Sequence, residues 1–535
     1  MREQSRERNP AGGRVLVVGA GPVGCVVALE LARHGVPSVV VDRSTAPPVF
    51  PKMDFINGRS MELLRRFGLV DQVRAGGVDG GHGADFHWTT GLAEPPVAVW
   101  SYPSPRELAA RAAGVRDGSA PVEVYQRIQG TVLEETLRRA VRAHPLVEVR
   151  EGWTFTGLFE DVGGITATLL CAETASRHTL RARFLVGCDG ASSVVRGCLD
   201  IPLVSSGQGS SRCSVYFRSS DPVLRAHGRA FVTIGSRGLT LVSRDEGAVW
   251  TASFQVPEDE PFAGDPMAVV RDKLGVDFAV DEVLSVGQWR GALAVAARYR
   301  RGSVFLAGDS AHQFYPFGGH GANTGIADGV DLGWKLAAVV NGWGGPRLLD
   351  SYEAERRPVA LFNREMSADL LEVWRRYTRL AADGATREQL GGLLAREASQ
   401  VDNPGVHFGY RYACSPVVAH EDGPAPAWHW DRITPTPWPG GRAPAVPLPD
   451  GTALFDRFGT GLTLVDLTGR DLGADLAKRA AGMGVPVDHL VVDDPDVRAV
   501  WGHGLVLVRP DQHVAWRGEG VPADWDAVLE LVCGR

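Results

Sequence analysis

At 535 residues the chain is long enough for two or three domains, each with its own core. Its 44% hydrophobic and 22% charged residues are those of an ordinary soluble protein, and a net charge of −7 is too small to point to nucleic acid or an anionic membrane. No uninterrupted apolar stretch would span a bilayer, and the seven cysteines show neither CxxC nor metal-ligand spacing, so a cytoplasmic chain with reduced thiols and no metal site is expected.

Residues 1–12 are polar and expected to be disordered. Val15 to Val18 is a continuous apolar run, the pattern of a buried parallel strand. Gly19-Ala-Gly-Pro-Val-Gly24 follows, then a helical pattern to Arg33 and a second strand, Ser38 to Asp42. The glycines and proline that interrupt this apolar start argue against a signal peptide. Composition turns irregular from Gly76 to Pro121, and helical periodicity returns from Tyr125 to Ala143. Thr154 to Ala182 reads as a hairpin leading to the strand Phe184 to Gly187. Short β-type runs from Cys213 to Gln255 predict a separate antiparallel sheet. Ser303 to Leu306 reads as a strand, Pro316 as a turn, and Gly325 to about Glu397 as helix. Asn403 to Gly409 and the proline-rich Pro424 to Pro449 read as a linker. The remaining runs, Leu462–Asp466, Leu472–Met483, Leu490–Val492, Leu505–Val508 and Val514–Arg517, predict a small third α/β domain.

The first motif joins Gly19, Gly21 and Gly24 to Asp42 within one strand–turn–helix–strand unit. The glycines permit the turn and the close approach of a pyrophosphate, and the acid falls where a ribose would lie. It does not by itself separate FAD from NAD. The second, Cys188-Asp-Gly-x-x-Ser-x-x-Arg196, places Asp189 and Gly190 at a strand end and Ser193 and Arg196 at a helix start. The third runs from Gly308-Asp309 through His312 and Pro316 to Gly318–Asn323. A carboxylate there can hold ribitol hydroxyls, and the positive end of the following helix suits a ring that gains negative charge. His312 and His320 invite an acid–base role, but no carboxylate stands at motif spacing to partner either. Phe217, Phe231, Trp250, Phe254 and Trp289 could line a pocket for a planar substrate or pack a core. Trp428-His-Trp430 superficially matches a halogenase signature, but the following spacing is wrong and it lies beyond all three motifs.

These three motifs resemble the single-component FAD-dependent aromatic hydroxylases with the para-hydroxybenzoate hydroxylase fold. Asn323-Thr-Gly-Ile326, Asp331-Leu-Gly-Trp-Lys335 and Tyr352-Glu-x-Glu-Arg-Arg-Pro358 are also similar, and the ending Val508 to Arg517 resembles the branch that tailors polyketides and indolocarbazoles. The resemblance implies α/β and α+β architecture. A Rossmann-like FAD-binding domain would span 13–77, 121–200 and 296–415, and an interleaved antiparallel-sheet substrate domain 78–120 and 201–295. A thioredoxin-like domain would span 416–535; with Cys533 its only cysteine after the linker, it is expected to be structural rather than redox-active.

By the same resemblance, Gly19, Gly21, Gly24, Asp42, Arg43, Asp189, Asp309, Pro316, Gly319, Gly321, Ala322 and Asn323 would contact FAD. Gln126 and Arg127 are further candidates, with Gln129 an unresolved third. Asp189, Gly190 and Arg196 would belong to a fingerprint touching both FAD and the pyridine nucleotide. Pro316, Lys52 and His320 are the flavin-adjacent candidates for catalysis, Lys52 standing where the family usually has arginine. The implied activity consumes NAD(P)H, a transient co-substrate, and O2 to hydroxylate a polycyclic aromatic metabolite through a C4a-hydroperoxyflavin, in a monomer or homodimer. Baeyer–Villiger oxygenation, or a flavoprotein that mainly protects a labile intermediate, stands as the alternative; a plain NAD-dependent dehydrogenase is disfavoured by the Asp309 motif.

Overall fold

The computed structural model describes residues 14–535 apart from 208, 259 and 402, so the disorder expected for residues 1–12 lies outside the described residues. The first sheet runs Arg300–Arg301, Val304–Leu306, Phe184–Gly187, Val15–Val18, Ser38–Asp42, Val147–Glu151. All pairs are parallel except the first. Val15 to Val18 are buried throughout, because helices cover both faces of the sheet. The switch in strand order beside Val15–Val18 opens a crevice at the carboxyl ends, where Gly19, Asp42, Cys188 and Gly308 all emerge. Thr154 to Ala182, expected as a hairpin, forms a three-stranded meander of Trp153–Asp161, Gly164–Cys171 and Arg177–Ala182. The helix expected from Tyr125 begins at Gly130, because Gln126–Arg127 first pairs as a short strand with Phe55–Ile56.

The second sheet has seven strands in the order Glu282–Gly291, Ser210–Arg218, Val249–Gln255, Leu239–Ser243, Val232–Gly235, Phe86–Thr89, Ala98–Trp100. It is antiparallel except where Val232–Gly235 pairs parallel with Phe86–Thr89, the strand from the earlier insertion. Its two faces differ. Cys213, Val215 and Phe217 share one face with Leu239, Leu241, Trp250 and Phe254, packed against Met267, Val270 and Leu274 of the helix Pro266–Leu274. Strand alternation sends Arg212, Ser214, Tyr216, Thr240, Thr251 and Ser253 to the other face.

The third domain carries a mixed four-stranded sheet, Val487–Val491, Leu462–Asp466, Leu505–Val508, Val514–Gly518, with helices Gly473–Gly482, Pro495–Trp501 and Trp525–Val532. This is the thioredoxin-like element order with two helices more than the sequence periodicity showed. The proline-rich stretch is no free linker: Ala443, Ala445 and Val446 are buried in this domain's core. Extended backbone with few N–H donors can lie along a packed surface at little hydrogen-bonding cost.

A buried ionic cluster docks this domain on the first. Arg509 grips Glu355 with two hydrogen bonds of 2.6 and 2.7 Å and reaches Asp511 at 2.7 Å. Lys335 contacts Glu355 at 2.6 Å and Asp331 at 2.5 Å, and Ser415 Oγ donates to Glu355 at 2.6 Å. Burial alone would raise the Glu355 carboxyl, but the Arg509 and Lys335 charges hold it down to about 2. Burial pushes Asp331 up to about 8, so a proton there offsets the excess of acids over bases. The Asp331–Lys335, Tyr352–Pro358 and Val508–Arg517 motifs therefore meet in one cluster that joins domains.

Candidate functional site: a dinucleotide cleft facing an aromatic sheet

Gly19 has φ +106°, and a Cβ there would lie 2.3 Å from the Cys188 carbonyl oxygen. One on Gly24 would lie 1.9 Å from the Gly19 oxygen. Both are forced by strand–helix crossing. Gly21 differs, since a Cβ there would meet nothing within 4 Å. Gly21 also N-caps the helix Pro22–Arg33 without any side-chain cap, leaving first-turn N–H groups for a pyrophosphate. Asp42 accepts from the Ala20 N–H at 2.6 Å and the Ser44 N–H at 2.7 Å, which fixes its carboxylate at the rim. Arg43 beside it is exposed.

The second and third motifs are stitched together. Asp189 Oδ1 accepts from Ser193 Oγ at 2.5 Å and Ser310 Oγ at 3.1 Å, and Oδ2 from the Val195 N–H at 3.0 Å. Arg196 donates to the Ser310 and Ala191 carbonyls. The Asp189 and Arg196 side chains are thus spent on holding Asp309's loop in place. Asp309 itself opens to the cleft. The surrounding protein still desolvates its carboxyl and raises it above the ordinary range, with His312 and Lys52 opposing.

The helix His320–Val340 begins at Gly319, which has φ +65° and no side-chain cap. A Cβ on Gly321 would meet nothing within 4 Å. This second uncapped terminus, next to Pro316 and Ala322, is the counterpart of the one at Gly21 and suits an anionic ring. Asn323 faces inward: its Oδ1 accepts from the Asn57 N–H at 3.0 Å and Ser60 Oγ at 2.6 Å, and its Nδ2 donates to the Gly319 carbonyl at 2.6 Å. Its side chain clamps the helix start, leaving only backbone for a ligand.

His320 is buried behind that terminus, 5.8 Å between ring centroids from His407, and burial lowers its pKa to about 4. His407 bonds Asn57 through Nδ1 and Asn403 Oδ1 through Nε2 at 2.6 Å, and burial lowers it to about 3. The Asn403–Gly409 stretch therefore packs against the site rather than linking domains, and Trp428 secures it by donating to the Gly405 carbonyl at 3.1 Å. His312 does have a carboxylate partner, Asp328, at 2.8 Å. Sequence inspection missed it because the acid stands sixteen residues on, one helix layer away. Asp328 also takes Arg356 Nε at 2.8 Å, which makes His312 part of a buried support.

The side chains of Gln126 and Arg127, both expected as cofactor contacts, are hydrogen-bonded within the protein. Gln126 Nε2 donates to the Val78 and Arg127 carbonyls, and Arg127 meets Glu246 at 2.5 Å and the Gly83 and Ser243 carbonyls at 2.9 Å. Gln129 instead accepts from the Tyr216 hydroxyl at 3.1 Å, on the site side of the large sheet. Of the sheet aromatics, Phe217, Trp250 and Phe254 lie on the far face, Phe231 packs with Tyr125, and Trp289 lies near Tyr315, Phe317 and Trp374.

Residues 13–364 match the FAD binding domain family, and residues 436–535 match the aromatic-ring hydroxylase C-terminal family. The chain belongs to the FAD-dependent aromatic-ring hydroxylases. It is 34% identical to the FAD-dependent monooxygenase apdD of Emericella nidulans over 96% of this chain and 89% of that protein. Native and K252c-bound RebC-10x aligns with a TM-score of 0.86 at 32% identity, covering 98% of this chain and all of that one. A ternary complex of aklavinone-11 hydroxylase with FAD and aklavinone aligns with a TM-score of 0.81 at 29% identity, again over 98% and 100%. The chain is accordingly a class A flavin monooxygenase that takes FAD and consumes NAD(P)H and O2. Its residues fit that cofactor: two uncapped helix termini, each with a glycine facing open space, and an acid at either end of the cleft.

Proposed function

We propose that the chain hydroxylates a planar polycyclic aromatic compound of the polyketide type. The observation that carries this reading is the aromatic wall between the Pro316–Gly319 loop and the site face of the large sheet. Phe317 lies 6.4 Å from Tyr315 and 5.5 Å from Trp374, with Trp289 in the same cluster. Flat apolar rings bind planar substrates by stacking and desolvation. The aligned hydroxylase complex with aklavinone supports the same class.

In this reading Gly21 and the Pro22 helix take the pyrophosphate, Asp42 the ribose and Asp309 the ribitol. The His320 helix terminus stabilises negative charge on the reduced ring. Bound FAD supplies hydride acceptance and oxygen activation; the protein holds the substrate ring, excludes water and keeps the site rigid through Asn323 and Asn57. His320, neutral across the working pH range, is a packing residue rather than the base. A cytoplasmic setting fits the seven free thiols.

The test is anaerobic flavin bleaching by NADPH in the FAD-loaded protein, with and without polycyclic phenols, followed by aerobic product mass. Accelerated bleaching and one added hydroxyl oxygen are expected. A lactone or ester product would move the activity to Baeyer–Villiger oxygenation. Binding without acceleration or oxygen transfer would favour the protective role.

A further inference from the structure

Three guanidinium groups are buried along the site side of the seven-stranded sheet, and only two carboxylates meet them. Arg127 pairs with Glu246, and Arg244 pairs with Asp54. Arg212, 3% exposed, pairs with none among the described residues. Its Nε donates to Ser253 Oγ at 3.0 Å and its Nη2 to the Ser253 carbonyl at 2.8 Å. The guanidinium lies 4.9 Å from the Trp374 ring centroid. Its Nη1 has no acceptor among the described residues. Burial lowers its pKa to about 10, which leaves it cationic at neutral pH.

A buried cation without a counter-charge is costly, and stacking on one indole compensates only part of that cost. A ligand that brings the missing negative charge would remove the imbalance. The location favours substrate: from the Pro316 loop the contacts run through Phe317 to Trp374 and from Trp374 to Arg212. Arginine's open N–H edge matches a planar anionic oxygen group, and the adjacent rings match an aromatic body.

We propose that Arg212 is a specificity residue that selects aromatic substrates bearing an ionised acidic oxygen, a carboxylate or an ionised enol, held at the open Nη1 edge beside Trp374. This rests on the substrate reading above and narrows it. A neutral ring system of the same shape leaves the guanidinium unpaired and binds more weakly.

The test uses FAD-loaded wild type, Arg212→Gln and Arg212→Lys. Two ligand pairs are titrated by flavin absorbance and by anaerobic reduction with NADPH: 3-hydroxy-2-naphthoate against its methyl ester, and 4-hydroxycoumarin against 4-methoxycoumarin. In wild type, at least one anion is expected to bind tenfold or more tighter than its neutral partner; which pair shows it separates carboxylate from enol. Arg212→Gln brings the ratio to within twofold and Arg212→Lys keeps part of it. FAD content is unchanged and the Tm of Arg212→Gln equals or exceeds wild type, because a ligand-directed charge carries a stability penalty that a structural one does not. Equal affinity within both pairs in wild type, or a preference that survives in Arg212→Gln, overturns the assignment. So does a lowered Tm in both variants with the preference intact. If the neutral members still bind and speed reduction, the hydroxylase reading stands while this one falls. If no member binds, this assignment falls together with the polycyclic-aromatic substrate reading.

Discussion

The two faces of the seven-stranded sheet follow different rules. The face over the helix Pro266–Leu274 is filled by Cys213, Val215, Phe217, Leu239, Leu241, Trp250 and Phe254, all but sealed from solvent and packed against their own chain. The face toward the cofactor cleft carries Arg212, Ser214, Tyr216, Thr251 and Ser253, polar groups that cost free energy to enclose unless each finds a partner. The same strands supply both, so the difference lies in what each face is built to meet. One packs against the fold's own helix, and the other is the face that the proposed function gives to the ligand.

Three perturbations sharpen that contrast. The largest strikes the packed face: Phe254→Ala removes a ring lying 5.4 Å from Phe262 and leaves a cavity, so a loss of about 3–5 kcal/mol is expected in denaturant unfolding. FAD affinity should change far less than stability. An equal fall in both would mean that the faces are not separable.

Next is pH, which acts behind the cleft. His320 at about 4 and His407 at about 3 are buried neutral, below the ordinary value near 6.5. As pH falls below 6.5 the unfolded chain takes up these protons first, so stability present above 6.5 is lost progressively toward pH 4. The loss is up to about 2 kcal/mol per histidine at pH 5. His407→Gln should flatten the Tm profile between pH 7 and 5; an unchanged slope would show that other groups carry the acid sensitivity.

The smallest effect is on the site face. Tyr216→Phe removes one hydroxyl donated to Gln129 at 3.1 Å, worth about 0.5–1.5 kcal/mol. A Tm shift within this range, with a larger change in substrate-stimulated flavin reduction, is the outcome expected of a residue that faces the ligand. The reverse pattern would assign Tyr216 to structure.

Legibility tracked distance along the chain. The Gly19–Gly24 turn, the Asp309 loop and the helix after Gly319 are local devices, and their residue order names their chemistry. Partnerships across layers are not local. Asp328 supports His312 from the following helix, His407 reaches Asn57 from 350 residues away, and Arg509 finds Glu355 across a domain boundary. The partners of Gln126 and Arg127 escape sequence reading for a related reason. The two residues stand beside the cleft in sequence, but the short pairing with Phe55–Ile56 places their side chains among Val78, Glu246 and Ser243. The proline-rich stretch before the last domain looked like a spacer because periodicity cannot reveal an irregular chain whose Ala443 and Val446 fill another element's core.

From its residues alone the chain determined a dinucleotide cleft, a flavin-type acid and helix terminus, a separate sheet and a thioredoxin-like ending. Glycine conformation, helix polarity and strand periodicity act within a few residues and need no partner to be read. Only the tertiary structure decided which face of the sheet packs on a helix, which histidines are buried supports, and that Arg212 is buried without a counter-charge. Burial and charge pairing depend on what folds over a residue, which no short stretch of sequence contains.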